Sequence, residues 1–522
     1  MAYHFPRFKP LEILTGISLI LSLSPAAAAD KFIYQTVLSR AQILASQPYQ
    51  EPATIPRFMQ ELSYDQYQDI RFDQDKSLWR QYASPFKVML IPTGLFYRHP
   101  VKINLIDIEG AHELPFRKDL FTFNDPELER KVPADLGYAG FKLTYPLLNP
   151  KVQSQFIVFA GASYFRGVGK DNAWGISSRG LSLDTGLPTG EEFPSFIEYW
   201  LVQPAGNSRE MMVYALLDSR SVAGAYQFQI SSGAQTVVQV RATLFPRRPL
   251  TLAGIAPLTS MFYYGENTVR PRGQWRLQVH DSDGLLLQNG NDEWLWRPLL
   301  NPGNLEMDAF STRDLKGFGL LQRDTDLTNY QDLGARYDIR PSTWVKPDGN
   351  WGEGKVYLVQ LPSDSESNDN IVAFWSPNRP IPPQQPYEFR YSLAFGGPGI
   401  EQQPIGHTVN TFVGDGNVNG GGRVPGAYRV IVDFTGGDLA KLPPSAIVEG
   451  VVTGLNQTEV LEEFTENNTV LGQWRLSILA KPGENRPLEL RAYLKTGEQT
   501  LTETWTYRLP RNSGILNERR QQ

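Results

Sequence analysis

Residues 238–244 have the sequence VQVRATL, in which apolar and polar side chains alternate. Successive side chains of a β-strand point to opposite faces, so this pattern predicts a strand with one buried and one solvated face. Similar short apolar runs, separated by Gly, Pro, Asn and Asp, recur at 86–91, 156–160, 211–217, 226–230, 237–245 and 356–361. Because no regular alternation of strands and helices accompanies them, a parallel α/β fold is disfavoured. We therefore predict an all-β protein whose N-terminal part is a large antiparallel β-sandwich.

Two Pro- and Gly-rich segments flank a further predicted strand at 387–395. This composition is typical of linkers, so we predict a main domain at 30–397, a linker at 398–408 and a second domain at 409–516. The second domain has strand-like runs at 427–434, 447–452, 472–479, 488–494 and 503–509. Their spacing predicts a small C-terminal immunoglobulin-like β-sandwich. This domain has no cluster of carboxylates beside aromatic residues, so we assign it a structural or partner-docking role.

Residues 1–29 have the features of a secretory signal peptide. Basic residues precede an apolar segment at 13–23, and three alanines occupy 27–29. The apolar segment is too short to cross a bilayer comfortably, which disfavours the alternative of a membrane anchor. We therefore predict an exported protein whose mature chain begins at Asp30.

The composition excludes several classes of function. The chain of 522 residues has a net charge of −5, so it lacks the positive field that holds a nucleic-acid backbone. It contains no Cys, which excludes disulfides, thiolate nucleophiles and Cys-based metal sites. Its five His residues are not spaced as metal ligands. Helical spacing of apolar residues predicts short helices at 31–46 and near 59–68.

A polar segment at 363–370, with the sequence SDSESNDN, directly precedes the apolar run 371–375. Ser, Asp and Asn favour turns because their side chains bond to the nearby backbone, so this segment is predicted to be a polar loop beside a buried strand. Loops that a rigid strand positions in this way commonly carry binding or catalytic groups. The alternative is a solvated turn that only connects two strands.

Three other regions combine aromatic with charged and polar side chains near turns: residues 278–298, residues 336–344 and residues 161–180. Aromatic rings stack on the apolar faces of sugar rings, and carboxylates and guanidinium groups bond sugar hydroxyls, so this mixture suits a long carbohydrate cleft. The alternative is a sandwich core with aromatic residues at the strand ends. The candidate substrate-binding residues are Tyr164, Arg166, Trp174, Arg179, Trp294, Trp296, Arg336, Trp344 and Asn368.

Paired carboxyl groups suggest a specific chemistry. Glycoside hydrolysis needs one group that protonates the glycosidic oxygen and another that activates water or attacks carbon. Asp281 and Asp369 are candidates from two separate polar segments. An alternative for Asp283 is a calcium loop, but the rest of an EF-hand pattern is missing. His280 is adjacent to Asp281, so their side chains point to opposite faces of a strand, which disfavours a serine-nucleophile arrangement.

Seven motifs occur in a distinctive order: DLGYAGF at 135–141, GASYFR at 161–166, LPTGEEFP at 187–194, APLTSMF at 256–262, HDSDGL at 280–285, GFGLLQR at 317–323 and NDNIVA at 368–373. With these motifs the chain resembles, from about residue 49 to residue 509, the bacterial glucans biosynthesis protein G/D family of osmoregulated periplasmic glucan production. The leader is of the general-export type, which favours the G branch. The resemblance implies the same two-sandwich fold, and a β-1,2-linked glucan as the substrate.

The resemblance also implies an activity, that of an inverting endo-β-1,2-glucanase without a cofactor. By this resemblance Asp369 is the general acid and Asp281 is the general base. Glu366 and Tyr337 match family positions that help to carry or order the proton path. Residues 333–335 depart from the family pattern, and such a loop can change activity or chain-length preference.

Two functions from different classes remain open at this point. The first is a periplasmic glucanase that trims nascent glucan. The second is a non-hydrolytic glucan-binding or branching-assistance factor that works with a membrane glucosyltransferase. The presence of Asp281, Glu366 and Asp369 together favours the first.

Overall fold

A computed structural model describes residues 25–511 and 513–515 of the chain. Residues 1–24, which hold most of the predicted signal peptide, lie outside the described residues. The α-helices of the described part are α1 (Pro25–Ala45), α2 (Arg57–Gln60), α3 (Tyr64–Gln68), α4 (Pro126–Lys131) and α5 (Leu327–Tyr330). The helix predicted at 31–46 is confirmed by α1, and the one predicted near 59–68 corresponds to α2 and α3. In the described part of the chain, no helix is both long and apolar enough to span a membrane.

Strands make up most of the rest. The first group consists of β1 (Ile70–Phe72), β2 (Lys87–Pro92), β3 (Lys102–Asp107), β4 (Gly110–Glu113), β5 (Phe121–Phe123), β6 (Tyr138–Tyr145), β7 (Ser154–Ala160), β8 (Tyr164–Gly167), β9 (Ser177–Arg179), β10 (Leu181–Leu183), β11 (Ser195–Val202), β12 (Glu210–Asp218), β13 (Val222–Ser231), β14 (Thr236–Pro246) and β15 (Ala253–Ser260). The second group consists of β16 (Phe262–Tyr264), β17 (Val279–His280), β18 (Gly284–Gln288), β19 (Trp294–Pro298), β20 (Glu306–Arg313), β21 (Gly317–Leu321), β22 (Ser342–Pro347), β23 (Glu353–Gln360), β24 (Ile371–Pro377) and β25 (Tyr387–Gly396). The C-terminal strands are β26 (His407–Asn417), β27 (Arg423–Thr435), β28 (Glu449–Leu455), β29 (Glu459–Asn468), β30 (Gln473–Lys481), β31 (Leu488–Thr496), β32 (Gln499–Thr500) and β33 (Thr504–Leu509). Each predicted strand overlaps one of these, so the all-β prediction is confirmed.

Two large sheets form the body of the molecule. One has the strand order β2-β6-β7-β8-β9-β15-β24-β23-β20, and β10 pairs with β15 beside it. The other has the order β28-β31-β33-β19-β18-β21-β22-β25-β14-β13-β12-β11-β3-β4, and β32 pairs with β31. Pairing within these sheets is antiparallel except between β3 and β11 and between β19 and β33. Aromatic side chains of the two sheets meet in the core, where the rings of Phe159 and Phe228 lie 5.3 Å apart.

The alternating run 238–244 lies in β14, between β13 and β25. Val238, Val240 and Ala242 are buried against the other sheet, as the alternation predicts. The opposite face is solvated only in part, because helix α1 packs across it. The hydroxyl of Tyr34 in α1 lies 2.9 Å from that of Thr243, which is buried.

The C-terminal strands divide between two sheets. Strands β26, β27, β30 and β29 form a separate four-stranded sheet, whereas β28, β31 and β33 extend the larger sheet of the main body. The link is the parallel pairing of β19 with β33, which sets Trp296 opposite Trp505. This region shares one apolar core with the end of the main body, which we call the seam. The boundary at 398–408 and the immunoglobulin-like assignment stay predictions.

Candidate functional site

The polar loop at 363–370 is anchored at both ends by amide side chains. At its start, Asn301 Nδ2 donates to the carbonyl of Ser363 at 2.7 Å, and the Ser363 N–H donates to Asn301 Oδ1 at 2.9 Å. At its end, the buried Asn370 accepts from the N–H of Phe262 at 2.9 Å and donates to its carbonyl at 3.0 Å. The carboxylates of the loop are therefore held on a fixed backbone.

The backbone of residues 261–262 is bonded to the neighbourhood of both candidate aspartates. The N–H of Asp281 donates to the carbonyl of Met261 at 2.8 Å. The next residue, Phe262, is bound on both of its backbone groups by Asn370, which directly follows Asp369. Asp281 and Asp369, from separate loops, therefore lie on either side of residues 261–262.

Asp281 is a buried carboxylate that lacks a full set of hydrogen-bond donors. The residue is only 6% exposed, and burial raises its pKa to about 6, with a further rise from the charges of Asp369 and Glu366. Arg340 opposes this rise, and its Nη1 lies 3.4 Å from Asp281 Oδ1. The contact lacks hydrogen-bond geometry, so within the described residues Oδ1 accepts no hydrogen bond. Oδ1 is therefore a buried acceptor that lacks a donor inside the protein.

Asp369 lies nearer the surface and contacts a different guanidinium group. Its Oδ2 accepts from Nη2 of Arg166, on β8, at 3.2 Å. Arg166 Nε in turn donates to the Ser177 hydroxyl on β9 at 2.9 Å. A half-exposed ion pair of this kind adds little to stability, so its main effect is to orient the two charged groups.

Glu366 belongs to a third set of contacts in the same loop. Its Oε2 accepts from the hydroxyl of Tyr337 at 3.1 Å and from Arg276 Nη1 at 2.5 Å. Arg276 Nη1 also donates to Asp332 at 3.0 Å. Burial and the charge of Glu366 raise the pKa of Tyr337, so its hydroxyl stays a proton donor. The guanidinium of Arg340, 5.1 Å from the Tyr337 ring, connects this set to Asp281.

A buried polar network supports the backbone behind the site. The ring nitrogens of His280 lie 3.0 Å from Gln322 Oε1 and 2.9 Å from Gln278 Oε1. Gln322 Nε2 also donates to the carbonyls of His280 and Tyr337. Burial lowers the pKa of His280 to about 4, so this ring is neutral near pH 7. His280 therefore positions its neighbour Asp281 and lies on the opposite side of the strand, as expected from their adjacency.

A cleft of about 930 Å³ lies beside the site, on the side of Arg166, and the candidate catalytic carboxylates are not part of its lining. Three predicted substrate-binding residues, Tyr164, Arg166 and Trp174, line it. Strand pairing sets Lys142, Val158 and Arg166 side by side along one row. Other aromatic and polar residues of the lining include Tyr64, Tyr67, Tyr97, Arg71, Lys142 and Gln155. Because Arg166 also contacts Asp369, the cleft leads directly to this carboxylate.

Arg179 supports the cleft from beneath. It is buried, donates to Thr259 Oγ1 at 3.0 Å and forms an ion pair with Glu191. Its guanidinium carbon lies 4.8 Å from the centre of the Tyr164 ring. All its contacts are within the protein, so its position suits holding Tyr164 in place.

The remaining predicted binding residues do not line the cleft. Trp294, Trp296 and Trp344 are buried at the seam, where the Trp294 and Trp344 rings stack 5.7 Å apart. Arg336 forms a double hydrogen bond with Asp338. Asn368 is exposed and directly precedes Asp369.

Three charged residues of the site were not among the predicted site residues. Arg340 contacts Asp281, Arg276 contacts Glu366, and Asp332 fixes Arg276. Arg340 lies inside a segment that the sequence analysis selected, so its presence there was a usable signal. Arg276 and Asp332 lie in loops without any distinctive pattern. Asp283, the alternative calcium ligand, accepts the N–H of Asp324 at 2.8 Å and that of Arg323, so its carboxylate closes a backbone turn.

The fold and the site define an all-β protein in which two aspartates from separate loops influence each other's charge beside an aromatic and polar cleft, to which Arg166 connects Asp369. The profile of the family described as "Periplasmic glucan biosynthesis protein, MdoG" matches residues 32–509. The chain belongs to this family, which confirms the resemblance.

Similar proteins carry consistent names. Glucans biosynthesis protein G of Ralstonia nicotianae is 45% identical over 496 residues, which cover 94% of this chain and 98% of that protein. The probable glucans biosynthesis protein D of Shewanella oneidensis is 40% identical over 506 residues, which cover 95% and 93%. Among solved structures, a GH36 α-galactosidase of Geobacillus stearothermophilus aligns over 60% of this chain and 40% of its own, with 8% identity and a TM-score of 0.23. That score is too low to support an argument.

Proposed function

We propose that this protein is an inverting endo-β-1,2-glucanase that trims nascent glucan in the periplasm, after export through the leader at 1–29. Family membership supports a role in periplasmic glucan biosynthesis. The observation that carries the catalytic part is the meeting of Asp281 and Asp369 beside the cleft, with Asp281 buried and its pKa raised to about 6. Perturbed carboxyl groups in a cleft are typical of acid–base catalysis.

In the proposed reaction Asp369 is the general acid. It gives its proton to the glycosidic oxygen as the bond from this oxygen to the anomeric carbon breaks, so the leaving chain departs with a hydroxyl. In the structure Asp369 accepts a hydrogen bond from Arg166. The incoming glucan has to exchange this contact for one between Asp369 and the glycosidic oxygen.

Asp281 is the general base. A water attacks the anomeric carbon from the face opposite the leaving chain, and its proton ends on Asp281. Attack and departure on opposite faces invert the anomeric configuration. A carboxyl group with a pKa of about 6 suits this task, since it is ionised near pH 7 and more basic than an ordinary aspartate. Glu366, Tyr337 and sugar hydroxyls or water order the path of the proton, and these steps require no cofactor.

The Arg166–Asp369 contact favours a second candidate function. An aspartate that keeps this partner would bond sugar hydroxyls without protonating a leaving group. The protein would then be a non-hydrolytic glucan-binding or branching-assistance factor that works with a membrane glucosyltransferase.

Hydrolysis of linear β-1,2-glucan separates the two functions. We expect the mature wild-type protein to release shorter chains whose new reducing ends have the inverted anomeric form in NMR spectra recorded during the reaction. Asp281→Asn and Asp369→Asn should bind glucan and fail to cut it. Binding by the wild type without any cleavage would reject the glucanase proposal in favour of the binding factor.

The individual roles can be tested with a leaving group that needs little protonation. A nitrophenyl glycoside of a β-1,2-linked glucooligosaccharide releases a stable phenolate, so it bypasses the general acid. Asp369→Asn should therefore keep much more of its activity on this substrate than Asp281→Asn. The opposite order would exchange the two roles.

A further inference from the structure

Three large apolar side chains are exposed on two loops of the main body that the Arg276–Asp332 ion pair joins. Trp275 is 63% exposed, Leu277 is 49% exposed and Leu333 is 77% exposed. A grouped set of exposed apolar side chains, with Trp among them, is unusual on a protein surface and commonly marks a binding site. We call these three residues the indole patch.

The two loops that carry the indole patch are fixed to each other and to the site. Asp332 Oδ1 accepts from the backbone N–H groups of residues 334 and 335, which closes the turn that displays Leu333. Asp332 Oδ2 accepts from Arg276 at 3.0 Å, and Arg276 lies between the other two patch residues in the sequence. The exposed surface is therefore rigidly mounted and loses little conformational freedom when a ligand binds.

The indole ring is close to the proposed proton path. The guanidinium carbon of Arg276 lies 5.7 Å from the Trp275 ring centre. Arg276 Nη1 lies 2.5 Å from Glu366 Oε2, which also accepts a hydrogen bond from the Tyr337 hydroxyl. The cleft reaches the polar loop through Arg166 and Asp369, whereas the indole patch reaches the same loop through Arg276 and Glu366.

An enzyme that cuts inside a chain must hold sugar units on both sides of the bond that breaks. The cleft provides tyrosines and Trp174 for one side. An exposed indole provides a flat apolar surface for a sugar ring, whose axial C–H groups form an apolar face.

We infer that the indole patch is a glucan-binding subsite, in which Trp275 stacks on a glucosyl unit beyond the cleaved bond, on the side of the polar loop that Arg276 and Glu366 form. This inference rests on the proposed function. It adds the residues that hold the glucan beyond the cleaved bond, so that the chain is cut at an internal position. Trp275 and its two leucine neighbours then set the shortest chain that is cut well and the length of the products.

Three variants test the subsite by hydrolysis. Trp275→Ala should raise KM for long glucan about three- to tenfold, the range expected for one lost stacking contact, and shift the product lengths. Trp275→Phe should raise KM less than Trp275→Ala, because an aromatic ring remains to stack on the sugar. Val470→Ala is the control, since this residue is 89% exposed on the turn after β29 and should leave KM and products unchanged. Unchanged KM and products for Trp275→Ala would overturn the inference.

Binding to an inactive background separates this inference from the proposed function. Asp369→Asn should bind glucan about three- to tenfold more tightly in calorimetry than Asp369→Asn combined with Trp275→Ala. Equal dissociation constants would overturn the subsite even if the wild type cuts glucan. If the wild type does not cut, the glucanase proposal fails, while a difference in these constants still supports the subsite. Loss of self-association in Trp275→Ala, with glucan binding unchanged, would show a contact between copies and also overturn it.

Discussion

Glu503 and Asp281 are both buried carboxylates, but their surroundings differ. Glu503, at the seam, accepts from Arg323 at 2.7 and 2.9 Å, from Gln403 at 2.8 Å and from the N–H of Thr408 at 2.8 Å. Burial would raise the pKa of Glu503, but the Arg323 charge and these donors hold it below its usual value. Its hydrogen-bonding capacity is used to join the main body to the C-terminal strands.

Asp281 has far fewer partners. Arg340 lies 3.4 Å from Oδ1 without a hydrogen bond, and burial raises the Asp281 pKa to about 6. Burial alone therefore does not distinguish a structural carboxylate from a reactive one. The structural group is saturated with donors inside the fold, whereas the candidate catalytic group keeps an oxygen that accepts no hydrogen bond from the described residues.

The largest expected effect comes from Asp281→Asn. This change should lower kcat on glucan by about 10²- to 10⁴-fold, the range for loss of a general base. Stability should be kept or increased, because a buried charge that Arg340 offsets only in part is removed. Rate measurements and urea unfolding on the same preparation check both parts. If the free energy of unfolding decreases as much as the activation free energy rises, Asp281 is a structural carboxylate like Glu503.

Replacement of Arg323, the cation paired with Glu503 at the seam, should lower the stability of the protein instead of kcat. Arg323→Ala leaves Glu503 buried and without its counter-charge, at a cost of about 3–5 kcal/mol in the free energy of unfolding. Arg166→Ala is the matched control, because its exposed pair with Asp369 should contribute about 1 kcal/mol or less. Equal losses in urea unfolding would contradict the distinction between the two ion pairs.

The raised pKa of Asp281 predicts a pH dependence of definite sign. The folded protein binds this proton more tightly than the unfolded chain, so stability decreases as the pH rises from about 3.8 to about 6. Relative to Asp281→Asn, the wild type should be of similar stability below this window and less stable by about 2–3 kcal/mol above it. Urea unfolding at several pH values measures the difference. A difference independent of pH would contradict the raised pKa.

The smallest expected effect is that of Tyr337→Phe. This change removes one hydrogen bond to Glu366 and should lower kcat about tenfold, which corresponds to about 1.4 kcal/mol. KM should change little, because the phenyl ring still packs beside Arg340. An unchanged kcat would exclude the Tyr337 hydroxyl from the proton path.

Much of the fold follows from local sequence patterns. Period-two alternation identified β14, and apolar runs between turn residues identified many other strands, because side-chain direction in a strand depends on neighbouring residues alone. The seam was not predicted. The parallel pairing that sets Trp296 opposite Trp505 joins strands far apart in the chain, and no local pattern encodes such a pairing.

The candidate site was predicted in part. Asp281, Glu366, Asp369 and Tyr337 were selected through family motifs, and the structure groups their side chains through direct contacts and mutual charge effects. Aromatic content did not separate Trp174, which lines the cleft, from Trp294, which is buried at the seam. A tryptophan next to polar residues has the same local signature in both places, since only the tertiary packing decides which faces remain open.

The sequence by itself determined the all-β class and the family, because these depend on periodicity and motifs, and it named candidate residues for acid–base chemistry. Only the tertiary structure decided which carboxylate is saturated and which is not. Hydrogen-bond donors for Glu503 and Asp281 come from distant segments of the chain. Burial raises the pKa of both groups, and the Arg323 charge and the donors that folding brings to Glu503 reverse this rise, so the difference is a property of the packed structure.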